Sequence, residues 1–83
     1  MVFLFDGPVN GTFWMKNTLI PLSIAFWDRS GRILKILDMT PCRADPCRLY
    51  SPGVTYVGAV ETNRGWFGAN GVREGHRVVL SGD

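Results

Sequence analysis

Short apolar runs alternate with turn-forming residues along this chain, and the runs have the lengths of β-strands. Val2 to Phe5 is an apolar run ended by Asp6-Gly7-Pro8, which predicts a buried strand followed by a turn. Asn10-Gly11 is a second turn signal and predicts a hairpin between that strand and the next. From Thr18 to Asp28 the residues divide between two faces. Ile20, Leu22, Ile24 and Phe26 fall on one, and Leu19, Pro21, Ser23 and Ala25 on the other, as in a strand. Pro21 has no amide proton to give a ladder, so a bulge or an edge position is expected there. Asp28-Arg29-Ser30-Gly31 has the composition of a hairpin loop.

Ile33 to Met39 fits two periods, because Ile33, Leu34, Ile36 and Leu37 would also share a helical face. The stretch is short, rich in Ile and entered from a hairpin signal, so a strand is predicted. Thr40 to Gly53 holds three prolines and both cysteines, and reads as a long loop. Val54 to Val60 is a further strand, marked by Tyr56 and its β-branched valines. At Glu61 to Asn70 the alternation stops, and Trp66, Phe67 and Asn70 recur at helical spacing. Thr62 or Asn63 would cap that short helix, and Gly71 would end it in a left-handed conformation. After a turn at Glu74-Gly75, Arg77 to Leu80 is predicted as a last strand. The sum is a mainly β chain of five or so strands with one short helix. A small barrel-like or strongly curved antiparallel sheet is expected.

Composition narrows this picture in a few places. Eighty-three residues make one domain, spanning 1–83, and 46% hydrophobic residues can fill a core, which excludes a disordered chain. A net charge of +2 falls well short of the basic stripe that phosphate backbones require, so nucleic acid is not an expected partner. The uncharged, largely apolar stretch from Thr18 to Trp27 is too short for a bilayer and contains Pro21. The opening residues have no basic start, long apolar segment or small-residue cleavage site. The sequence as written therefore predicts a cytoplasmic chain without a membrane partner, or an exported one if a leader was removed.

Cys42 and Cys47 flank the loop Arg43-Ala44-Asp45-Pro46. A disulfide can close across it where the Cα atoms come within about 7 Å, although a cytosol would keep both thiols reduced. The spacing differs from C-x-x-C redox motifs, and two sulfurs with one distant His76 make a poor zinc site. A local staple or two inert thiols are expected, with no metal and no cofactor.

Phe13-Trp14-Met15-Lys16-Asn17-Thr18 followed by Leu19-Ile20-Pro21-Leu22 resembles the signature of the DUF192 family (domain of unknown function 192). Ile24-Ala25-Phe26, Gly31-Arg32-Ile33, Met39-Thr40-Pro41, Tyr50-Ser51-Pro52 and Gly71-Val72-Arg73-Glu74-Gly75 follow in the family's order. Met1 to Phe5 is similar to the family's apolar strand before the signature, so the resemblance covers nearly the whole chain. It implies a fold and no activity, because the family supplies none. Two departures stand out. His76 replaces the aspartate usual after Gly75, and the N-terminal strand with its Arg-x-x-Gly-Leu-Met segment is missing. Losing that segment should expose a sheet edge and an apolar face, so a homodimer through that side is expected.

The signature contains the best candidate site. In a functional reading, Trp14 floors a shallow pocket where Lys16 and Asn17 meet an anion or a sugar hydroxyl, with Asp38, Tyr50 and Glu61 as further candidates. In a structural reading, Lys16 pairs with Asp38 or Glu61, and Asn17 makes a turn. Trp27, Trp66 and Tyr50 can stack on a ligand or belong to the core, with Trp27 half exposed beside its hairpin. His76 reads as a turn residue, since no oriented partner or nucleophile is evident, and no catalytic residue is assigned. Asp38 and Glu61 would have to converge in space to act as a carboxylate pair. Three classes remain. The first is a non-catalytic module binding an unidentified small molecule or protein, followed by a small hydrolase or carbohydrate-active enzyme and a weak nucleic-acid binder.

Overall fold

The computed structural model describes residues 1–15, 18–44 and 46–79. Among these residues, six strands and one helix follow in order: β1 (Val2–Val9), β2 (Phe13–Trp14), β3 (Leu22–Trp27), β4 (Ile33–Met39), β5 (Leu49–Tyr50), β6 (Tyr56–Asn63) and α1 (Trp66–Ala69). A four-stranded antiparallel sheet has the order β1-β6-β3-β4, and β2 pairs with β5 in a small second sheet. The main sheet is curved and does not close into a barrel.

The β3–β4 hairpin forms where its sequence predicts. Asp28 accepts hydrogen bonds from the Ser30 amide (2.9 Å), the Ser30 hydroxyl (2.6 Å) and the Arg32 amide (3.0 Å). The Ser30 hydroxyl is the main cause of a carboxyl held below its ordinary range. Gly31 takes a φ of 86°, and its carbonyl accepts the Val78 amide at 2.6 Å, a close approach that a side chain would obstruct.

Other boundaries differ from the expectations. Asp6-Gly7-Pro8 does not end β1. Between Leu4↔Gly58 and Val9↔Tyr56, β1 advances five residues while β6 advances two, so the turn-forming residues are absorbed as a bulge. Asn10-Gly11 closes no hairpin, because β1 pairs with β6 and β2 with β5. β3 begins at Leu22, just after Pro21, so the proline does not interrupt this central strand. The loop from Thr40 to Gly53 contains β5, and the strand expected over Val54 to Val60 runs instead from Tyr56 to Asn63. Gly65, in a left-handed conformation, occupies the N-cap of α1 in place of Thr62 or Asn63. The last segment makes a single bridge, Arg32↔Arg77, where Arg77 to Leu80 was expected to form a strand, and Leu80 lies outside the described residues.

Each face of the main sheet buries its own core. On one face, Ile24, Phe26, Met39 and Ala59 pack with Met15, Tyr50 and Tyr56 beneath the small sheet. Phe26 stacks edge-on against Tyr56 (4.7 Å) and Phe13 (5.7 Å). The Tyr56 hydroxyl donates to the Gly11 carbonyl at 2.8 Å, and burial pushes its ionisation above the usual range. On the other face, Ala25 and Ile33 meet Phe67 of α1. Trp27 is buried at 4% exposure rather than half exposed, because its indole lies over Gly58.

The two outer edges of the main sheet are finished differently. Along β4, the Ile33 amide donates to the His76 carbonyl, and the Glu74 carboxylate accepts the Ile36 amide at 2.9 Å, which occupies part of that edge. Along β1, no strand among the described residues takes the outer edge, and Val2, Leu4 and Phe5 are exposed.

Candidate functional site

The signature meets the cysteine loop at one end of the molecule. Phe13 pairs with Tyr50 and Trp14 with Leu49, which lays the start of the signature against the segment leaving the loop. The Met15 carbonyl then accepts two amides, Thr18 at 3.0 Å and Cys42 at 3.2 Å. Both bonds tie Met15 to Thr18 and Cys42, and the Met15 side chain is buried in the core below. Cys42 and Cys47 are joined as a disulfide with their Cα atoms 5.7 Å apart, so of the two sequence alternatives the structure holds the staple.

These pairings enclose a cleft of about 410 Å³. Met15 and Tyr50 form its floor, residues 40–44 one wall, and Arg48 the facing side. The Tyr50 hydroxyl accepts the Thr40 amide at 3.1 Å, and the Arg48 guanidinium carbon sits 4.9 Å from the centre of the Tyr50 ring. Arg43 and Arg48 give the cleft two cations, and no carboxylate is among its described lining residues.

The sequence-predicted residues are only partly gathered here. Tyr50 lines the cleft, and exposed Trp14 belongs to the strand beside it. Lys16 and Asn17 lie outside the described residues, as does Asp45 of the cysteine loop. Asp38 accepts the hydroxyl of buried Ser23 at 2.8 Å, and the same hydroxyl oxygen accepts the Gly65 amide at 3.3 Å, so Asp38 joins a link between β4 and the start of α1. Glu61 is in register with Ile24, whereas Asp38 is in register with Ser23. Adjacent positions on β3 point to opposite faces, so the two carboxylates are divided by the sheet. Burial pushes the Glu61 carboxyl above its ordinary range, against a smaller opposing effect of the terminal amine. Trp66 is partly exposed against Phe67, and His76 is a turn residue whose Nδ1 accepts the Arg73 amide at 3.3 Å.

Sequence reasoning missed Met15 and the two arginines as cleft residues. The signal was available, since each arginine directly follows a cysteine of the staple. A second cavity, about 450 Å³ and mostly apolar, lies on the opposite face between Phe67, Val72, Val78 and the sheet, with His76 and Arg77 also in its lining. Among the described residues, no three His, Cys, Asp or Glu side chains come together as a metal site, and no helix is long and apolar enough to cross a membrane.

Comparison with known proteins agrees with this architecture. The model of the DUF192 family, described as "Uncharacterized ACR, COG1430", matches residues 1–80. No curated protein is significantly similar to the chain. Similar solved structures include a protein of unknown function from Novosphingobium aromaticivorans. Its TM-score is 0.85 at 30% identity, and the match covers 96% of this chain and 56% of that one. A second, from Sinorhizobium meliloti and named as a candidate transcription regulator, has a TM-score of 0.82 at 28% identity, covering 93% of this chain and 58% of that one. The chain thus spans somewhat more than half the length of either structure. With its signature, its element order and the match over residues 1–80 in agreement, the chain belongs to the DUF192 family.

Proposed function

We propose that this chain is a non-catalytic binding module whose site is the cleft between the signature and the stapled loop. One observation carries the reading: β2–β5 pairing and the Met15–Cys42 bond bring the signature against a cleft with a partly apolar floor and converging polar groups. An enzyme reading gains nothing from the geometry, since Asp38 and Glu61 stand on opposite faces of the sheet. A nucleic-acid reading would follow the name of the Sinorhizobium structure. Here, however, Arg29, Arg32 and Arg77 lie at the hairpin end of the sheet and Arg43 and Arg48 at the other. That division does not favour tracking a phosphate backbone.

A thermal-shift screen with sugars, nucleotides, small acids and metals tests the proposal. A ligand at about a hundred times its dissociation constant adds roughly 2.7 kcal/mol, a readily visible rise in Tm. Ala44→Trp, an exposed wall position, should fill the cleft and remove that rise while the unliganded chain melts normally. Lys16→Ala should weaken the same ligand. A ligand whose effect survives Ala44→Trp, or a screen without any ligand, would overturn the reading.

A second reading, self-association, is favoured by the open edge of β1 with exposed Val2, Leu4 and Phe5. An unpaired strand edge bordered by apolar side chains is a template for pairing with another chain. Sedimentation should give a dimer of the 9.2 kDa chain at micromolar concentration, and Leu4→Lys should shift it toward monomer. A stable monomer for the unaltered chain would contradict this.

A further inference from the structure

Resting on the binding reading above, we infer that the cleft takes a small oxyanion, a carboxylate or phosphoryl group, held between Arg43 and Arg48. The disulfide positions both cations. Each arginine directly follows a bridged cysteine, so the bridge that holds the cysteine Cα atoms 5.7 Å apart also limits the separation of the two arginine stems. Both residues then line one cleft, and neither forms an ion pair with a described residue. Two like charges in one concavity repel each other, and an oxyanion between them relieves that repulsion while accepting forked N–H bonds. Arg48 is also steadied by the Tyr50 ring, which reduces the conformational freedom lost when its guanidinium engages a ligand.

The apolar cavity under Phe67 is a weaker candidate. It opens on the α1 face of the sheet, and nothing in the structure shows what covers it.

The test is calorimetric titration of the full chain with inorganic phosphate, acetate, citrate and benzoate, with benzamide as the neutral counterpart of benzoate. At least one anion should bind, benzamide should not, and added sodium chloride should weaken the binding. Arg43→Gln and Arg48→Gln should each reduce affinity about tenfold to a hundredfold, the range for losing a hydrogen bond to a charged group. Arg48→Lys should retain part of the affinity, since it keeps the charge and loses the fork. Reducing the disulfide should weaken binding as the stems separate. Phosphate and carboxylate arms that differ decide which oxyanion the site prefers. Binding of neutral compounds alone, still blocked by Ala44→Trp, would overturn the oxyanion inference and leave the binding module standing. Anion binding unchanged in Arg43→Gln/Arg48→Gln would show an adventitious ion only. If no compound of any class is blocked by Ala44→Trp, both readings fall.

Discussion

Phe26→Ala is expected to leave the chain without a cooperative thermal transition. Phe26 is fully buried near the end of β3, and its ring contacts Tyr56 and Phe13, which tie the small sheet to the large one. Truncating a buried Phe costs about 3–5 kcal/mol, from lost transfer energy and the cavity left behind. A domain of this length has on the order of 4–12 kcal/mol in total, and small domains bury proportionally less surface. The substitution therefore removes much or all of the margin. Near-ultraviolet circular dichroism during heating is the measurement. A sharp transition within a few degrees of the unaltered protein would mean that the aromatic cluster is not the organising core.

Gly58→Ala should cost about 3 kcal/mol, at the upper end for inserting atoms into a packed interior. Trp27 and Gly58 are in register across β3 and β6, and a Cβ on residue 58 would fall inside the Trp27 indole. Trp27 is buried, and the neighbour is a rigid ring rather than a flexible chain end. For a domain of this size the melting temperature should drop by about 12–24 °C. Trp27→Phe should recover part of the loss in the double variant, because the two positions share one contact. Strictly additive effects would contradict the proposed packing.

These two residues also mark how far the sequence could be read. Trp27 follows a clear strand pattern, yet its burial depends on a glycine 31 residues later that no local period identifies. The β3–β4 hairpin was legible because Asp28 and Gly31 encode it with their own hydrogen bonds and backbone conformation. β5 was not, because two residues acquire strand geometry only by pairing with β2. Polar Glu61, Thr62 and Asn63 extend β6 for a similar reason, since the ladder with β3 continues beneath them. Asp6-Gly7-Pro8 carries the residues of a turn, and the pairing of β1 with β6 on either side of it makes a bulge instead.

The candidate site divides along the same line. The signature and the cysteine loop were each visible, but their contact is made through the Met15 carbonyl, an atom common to every residue. Asp38 and Glu61 looked equally eligible until register placed them on opposite faces, a distinction of one residue that periodicity alone cannot make across distant strands.

The most direct test of the binding proposal is to map a ligand onto the backbone by recording amide shifts of the isotope-labelled chain during titration with the best compound from the thermal screen. The account predicts saturable shifts concentrated at Met15, Thr40, Cys42, Arg43, Arg48 and Tyr50, with little change at Phe67, Val72 and Val78. Shifts centred on those last residues, under α1, would contradict it.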